Sequence, residues 1–235
     1  MKIKSILFLC ILSSSINTAV AFSNENDAGT IASIEKRLAT AQKYESDGLL
    51  NIALDKTEKL FEESSQHKEL AISYASQLVK TNQAEKAQSI IQPLLIKHTN
   101  DWRIWFWLGS SQLLQNDLDN ASNSFSEALA LNGEEISIWI QKAIVEQEKG
   151  NGKAAINLLQ VANSLEPNNP DVLVNYAYAS ESEGEIDNAV KFYRYFLRLS
   201  ASDRTKGVLR SDIMLRLAQI ASAQSLVNED VLNEL

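Results

Sequence analysis

Five segments beginning at Ile34, Lys68, Trp102, Ile136 and Pro170 align without a gap at a spacing of 34 residues, and each carries alanine at its twentieth place: Ala53, Ala87, Ala121, Ala155 and Ala189. The eighth place is nearly as constant, reading Ala41, Ala75, Gly109, Ala143 and Ala177. A fixed period of this length means one supersecondary unit repeated along the chain. No such unit buries its apolar face alone, so the chain must fold as a stack of them, a solenoid.

Within each segment the apolar spacing is helical, as in Trp105 and Leu108 followed by Leu118, Ala121, Phe125, Ala128 and Leu131, with a polar break at Asn116-Asp117. Each unit is therefore expected to be a helical hairpin. Helix A takes places 1 to 14 and helix B places 17 to 31, with the small residues at 8 and 20 where two backbones cross closely. The breaks use turn chemistry: Gly48, Asn82, Asn116-Asp117, Gly150-Asn151-Gly152 and Gly184. Glu166-Pro167-Asn168-Asn169-Pro170 separates the last two units, because proline tolerates a helix start but not an interior. Pro93 falls inside helix B of the second unit, where it is expected either to kink the helix or to be tolerated without consequence.

The pattern resembles the tetratricopeptide repeat family. Trp105, Leu108, Gly109, Ala121, Phe125 and Ala128 in the third unit stand at signature places, as do Trp139, Ala143, Gly150, Ala155, Ala162 and Pro167 in the fourth. Leu173, Tyr176, Ala177, Gly184, Ala189 and Tyr193 do so in the fifth. The first two units depart from it, with Arg37 and Ala71 in place of tryptophan and Thr57 in place of an aromatic. The resemblance implies an all-α, right-handed superhelical solenoid of about five antiparallel hairpins, 34–67, 68–101, 102–135, 136–169 and 170–203, closed by a capping helix over 204–227. In that cap Met214, Leu217, Ala218 and Ala221 are expected to face the core, seven residues late in the repeat, with Asp212, Arg216 and Gln219 turned to water.

The ends read differently. Met1-Lys2-Ile3-Lys4, the apolar run Ile6 to Leu12 and Ala19-Val20-Ala21 have the order of a secretory signal peptide over 1–21. The run is far shorter than the ~20 residues needed to span a bilayer. Cys10 lies inside the run after bulky Leu9, which disfavours a lipid anchor there. Residues 22–33 are polar and aperiodic and are expected to be a flexible leader, and 228–235 a frayed tail.

Little in the sequence points to reaction chemistry. His67 and His98 sit next to inter-repeat turns, and with Cys10 removed no further His or Cys remains to complete a transition-metal site. Gly150-Asn151-Gly152-Lys153 lacks the leading glycine and the Ser or Thr of a phosphate loop and reads as a turn, and Asn120-Ala121-Ser122 matters as a glycosylation acceptor only in a eukaryotic secretory route. No nucleophile, base and orienter set stands out, so the chain is expected to be no enzyme and to need no cofactor or metal. Its net charge of −8 becomes −10 without Lys2 and Lys4, which argues against nucleic acid and against anionic lipid except through a partner.

The resemblance implies a protein or peptide partner held along the concave side of the helices A. The candidate groove residues are Arg103, Phe106, Trp107 and Ser110 in the third unit, Ile140 and Ile144 in the fourth, and Val174 and Tyr178 in the fifth. Successive helical positions turn by about 100°, so Trp105, Phe106 and Trp107 cannot all face one core. Trp105 is assigned to packing, while Phe106 and Trp107 either face the groove or pack between repeats. A Lys and Asn clamp for acidic peptide termini is absent from places 5 and 9. The expected function is an exported, periplasmic scaffold for an apolar or amphipathic segment of an envelope-assembly partner, in a pilus or secretion system. The alternative is a chaperone that holds exported subunits. The mature chain is expected to begin at Phe22 and to stay soluble after export; intact-mass measurement of the exported protein checks this, and retained Met1 or a lipid mass on Cys10 would contradict it.

Overall fold

The computed structural model describes residues 25–233, with side chains described over 31–203 and 205–223. The expected signal peptide, Cys10 and the Phe22 terminus lie outside those residues. Among the described residues there is no strand, and the elements are α1 (Glu25–Ser46), α2 (Leu50–Glu63), α3 (Lys68–Lys80), α4 (Ala84–Ile91), α5 (Trp102–Leu114), α6 (Leu118–Leu131), α7 (Ile136–Glu148), α8 (Gly152–Leu165), α9 (Pro170–Ser182), α10 (Ile186–Leu199) and α11 (Gly207–Asn233). No described helix is long and apolar enough to cross a membrane. Two compact units divide this series, one within 13–133 and the other within 134–235.

In the first unit α1 pairs with α2, α3 with α4 and α5 with α6, and α3 packs on both α2 and α5. In the second, α7 pairs with α8 and α9 with α10, α9 also packs on α7 and α8, and α11 lies against α10. The packing places are those of the repeat. Ala53, Ala87, Ala121, Ala155 and Ala189 are wholly shielded from water. A Cβ added to Gly109 would stand 2.9 Å from the Phe125 ring, so that crossing admits nothing larger than hydrogen. Phe125, Leu159 and Tyr193 fill the twenty-fourth place of their hairpins and Ile91 fills it in the second. In the first hairpin this place holds Thr57, which satisfies its hydroxyl by donating to the Ala53 carbonyl at 2.9 Å.

Each helix A ends in the same way. Gly48, Asn82, Asn116, Gly150 and Gly184 stand at the fifteenth place of their units with φ of 79°, 61°, 62°, 82° and 78°. The next residue then donates back five positions, Leu49 to the Tyr44 carbonyl and Asn151 to that of Glu146, both at 2.8 Å. This is the Schellman closure, in which a left-handed residue lets the chain satisfy carbonyls that a helix end leaves open. Helix starts are capped by His67, Asp101, Glu135 and Asn169. His67, beside its inter-repeat turn, is half-buried and its Nδ1 accepts from Leu70 N at 3.3 Å.

Three expectations need correction. First, α1 begins at Glu25, so residues 25–33 are helical rather than a flexible leader, and α11 runs to Asn233 through most of the expected frayed tail. Second, Pro93 neither kinks nor is absorbed by an α-helix: α4 stops at Ile91 and a 3₁₀ turn over Gln92–Ile96 follows, with Pro93 in its first turn where the missing N–H costs nothing. The tighter winding leaves Leu94 only half-buried at the place where Ala128, Ala162 and Phe196 are fully buried. Third, the inward face of α11 is Leu209, Ile213 and Arg216, not Met214, Ala218 and Ala221, which are exposed; Leu217 is half-buried.

The turn geometry yields a paired expectation. Gly184→Ala should destabilise the protein by about 1 to 2 kcal/mol, because an L side chain in the left-handed region meets its own carbonyl, whereas Asn82→Gly should cost no more than a few tenths. Chemical denaturation of both variants checks the contrast.

Candidate functional site

Helix A of each hairpin carries the candidate residues, and the two units present them separately. In the first unit Arg103, Phe106, Trp107 and Ser110 all lie on α5. Phe106 is buried and meets Trp102, Trp107 and Phe125 edge-on at 6.2, 4.9 and 5.9 Å between centroids. It therefore packs inside its own hairpin, and Trp107 beside it carries the Lys80 ammonium 5.4 Å from its ring. Trp105, assigned above to packing, is the more exposed of the three, with its indole N–H donating to the Thr99 carbonyl at 2.9 Å. Ser110 is fully buried and donates to the Phe106 carbonyl at 2.8 Å.

Arg103 is committed to an ion cluster that joins the starts of α3 and α5. Its guanidinium grips Glu69 with two bonds of 2.6 and 2.9 Å and Asp101 with bonds of 2.8 and 2.6 Å, while Lys68 reaches Asp101 at 2.9 Å and Glu69 at 3.2 Å. Burial pushes the Asp101 carboxyl up, but hydrogen bonds and charge from Arg103 and Lys68 outweigh it and hold the group down at about 2. The same opposition leaves Glu69 below the usual carboxylate range. Hydrogen bonds donated to the Asp101 and Glu69 carboxylates hold the Arg103 guanidinium above its ordinary value despite burial.

In the second unit α7, which carries Ile140 and Ile144, packs on α9, which carries Val174 and Tyr178. All four are shielded, the most exposed showing 5% of its surface. Tyr178 meets Tyr193 edge-on at 5.5 Å, and the Arg216 guanidinium of α11 lies 5.2 Å over its ring. Glu181 ties these together, accepting from Tyr193 Oη at 2.7 Å and from Arg216 Nε at 2.5 Å. Burial, reinforced by the Glu181 carboxylate, pushes the Tyr193 phenol upward.

Two features escaped the sequence reading. Gln77 Oε1 in the first unit, and Gln141 Oε1, Gln147 Nε2, Asn175 Oδ1 and Ser180 Oγ in the second, are buried polar atoms with no hydrogen-bond partner. Gln141 and Asn175 occupy the same sixth place of neighbouring hairpins. Also, α10 carries Lys191, Arg194 and Arg198 at helical spacing on its exposed side, with Arg198 4.6 Å over the Tyr195 ring. Among the described residues no group of three His, Cys, Asp or Glu side chains is arranged to hold a metal ion.

Residues 103–135 match the tetratricopeptide repeat family model, which is the α5–α6 hairpin. No curated protein matches the sequence. Among solved structures, TTC0263, a thermophilic tetratricopeptide protein of Thermus thermophilus, shares the fold with a TM-score of 0.69 at 18% identity over 80% of this chain and 98% of its own. MamA from Desulfovibrio magneticus RS-1 follows with 0.58 at 12% identity over 73% and 97%. A further MamA structure gives 0.55 at 18% identity over 69% and 95%. One hairpin thus matches the tetratricopeptide repeat model, and the solved structures share the fold. Tetratricopeptide repeat proteins generally mediate protein–protein interactions and are typically non-catalytic.

The ion cluster sets a pH dependence. A carboxyl held near 2 in the folded chain against ~3.9 unfolded adds stability that is complete above the unfolded value and is lost as pH falls from ~4 toward 2, on the order of 2 kcal/mol. Asp101→Asn keeps a good capping residue while removing the charge. Unfolding of parent and variant should therefore differ most at neutral pH and converge near pH ~2, as thermal melts across that range would show.

Proposed function

We propose that the protein is an exported, non-catalytic scaffold of the cell envelope that holds an apolar or amphipathic segment of an assembly partner against its helices A, in a pilus or secretion system. The partner is a protein rather than nucleic acid, and the membrane is met only through it. The observation that supports this reading is the set of orphaned polar atoms among apolar side chains on α7 and α9. A buried acceptor left without a donor costs ~1 to 3 kcal/mol, and a segment that inserts between the helices and offers N–H groups would remove that cost. Ile140, Ile144, Val174 and Tyr178, shielded in the free chain, would give apolar contact to a segment that inserts along α7 and α9 beside Gln141 and Asn175. The short apolar run and small residues before Phe22 support export.

Gln141→Met tests this, because it replaces the orphaned acceptor with an apolar group of similar length. The variant should unfold at or slightly above the parent temperature yet bind the partner captured from envelope extract at least ~5-fold more weakly. Equal binding by parent and variant would remove α7 from the binding surface. One stable partner in fixed stoichiometry fits the scaffold; a mixed set of subunits released as they fold would make the protein a chaperone.

A further inference from the structure

The chain is acidic, with 30 carboxylate side chains against 22 basic ones, yet the helices B of its second unit reverse the sign. Lys153 is the one charged residue of α8, and α10 sets Lys191, Arg194 and Arg198 against Asp187 alone. In the first unit α6 carries Asp119 and Glu127 and no base. At about 100° and ~1.5 Å per residue, the three cations of α10 fall within an arc of ~60° and along ~10 Å of the helix. All three are exposed, and none forms an ion pair among the described residues. Lys68, Lys80, Arg103, Lys206 and Arg216, by contrast, are spent on carboxylates of their own chain. Half-buried rings flank the stripe. The Arg198 guanidinium lies 4.6 Å over the Tyr195 ring, and the Lys191 ammonium lies 5.8 Å from that of Phe192, which meets Tyr176 at 4.3 Å. Tyr195 is anchored in turn by donating to Asn168 Oδ1, and Tyr176 Oη accepts from Gln160 Nε2 of α8 at 3.1 Å.

We propose that this side of α10 docks an acidic helical segment of a partner protein, on a surface separate from the helices A. Spacing selects a helix. Cations three and four residues apart stand opposite carboxylates placed three and four residues apart on a facing helix, which is how one edge of a helix repeats. Guanidinium groups select carboxylates, because their donors form a fixed fork that a carboxylate meets with two parallel bonds. Arg198 already rests on Tyr195, which lowers the cost of ordering it on binding, and the flanking rings receive apolar side chains beside the partner's acidic edge. Length decides against other polyanions. The stripe is comparable with the Debye length of ~8 Å at physiological ionic strength, so a short segment senses it alone. A nucleic acid or an anionic bilayer extends past it and meets the field of a chain with net charge −8.

Fluorescence anisotropy on the full chain tests this with a labelled helical peptide that carries glutamates three and four residues apart along one edge. The peptide should bind, weaken as salt is raised, and lose at least ~10-fold in affinity when Arg194→Gln is combined with Arg198→Gln. Both side chains are exposed, so helix content and unfolding temperature should match the parent. Lys97→Gln, at an exposed lysine of the first unit, and Gln141→Met on α7 should bind the peptide as the parent does, which separates this surface from the one proposed for the helices A. A parent that does not bind the peptide, a glutamine version bound as tightly, a double variant with unchanged affinity, or an equal loss in Lys97→Gln would each overturn the proposal. So would tighter binding of duplex DNA or of phosphatidylserine vesicles that the same double variant weakens.

Discussion

Close approach of two helix backbones is the constraint on which every hairpin depends. At the twentieth place alanine is shielded completely in all five hairpins, and at the eighth Gly109 stands against the Phe125 ring with no room for a methyl group. Small side chains there draw helices A and B together, and the larger residues of the core then fall into fixed positions. Ile104 and Phe125 in one unit, and Ile138, Leu159 and Tyr193 in the other, are buried as a consequence. Burying each such side chain contributes roughly 1.5 to 3 kcal/mol, so the small places matter less for their own area than for the packing they permit.

The second requirement is that the chain reverse direction in the same way each time. A left-handed residue at the fifteenth place does this in all five hairpins, by glycine three times and asparagine twice. Both residues are among the few that enter this region cheaply. Because the turn is identical, helix B starts at an identical angle, and the alanine crossing recurs five residues later. The second hairpin shows how much the pattern tolerates. Pro93 ends α4 after eight residues, yet Ala87 and Ile91 are already packed by then, so the disruption falls on the outer end of the hairpin.

Places that obey the period were legible in the sequence, and places that answer to a particular neighbour were not. Period alone located the crossings and turns, because small residues and left-handed residues carry their reason locally. The aromatic run at 105–107 was harder, since helical geometry says only that three successive side chains cannot share a face. The structure buries Phe106 against Phe125 and leaves Trp105 at the edge, a choice made by the partner helix. Arg216 was misplaced for a related reason. A charged residue reads as solvent-facing until a buried carboxylate such as Glu181 is known to wait for it. The orphaned acceptors on α7 and α9 had no signal at all, because glutamine and asparagine on a helix look the same whether or not a donor reaches them.

The ion pairs that cross from one hairpin to the next have a spacing of their own. Lys68–Asp101 spans 33 residues, Glu69–Arg103 34, and Glu45–Lys80, Asp171–Lys206 and Glu181–Arg216 each 35. All lie within one residue of the repeat length, so each joins equivalent levels of consecutive helices, two of them reaching the final segment. Exchanging a whole pair of this kind for apolar residues changes net stability little, because desolvation offsets the attraction, but breaking one strands a charge. Apolar helix faces slide past one another at small cost, whereas a stranded charge penalises every register but one. Apolar burial thus holds the hairpins together, and the charges decide where along its neighbour each hairpin stops. That division also explains why α11 can turn Arg216 inward: the pair with Glu181 that fixes its position uses the charge up, and the outward side is left largely to apolar residues.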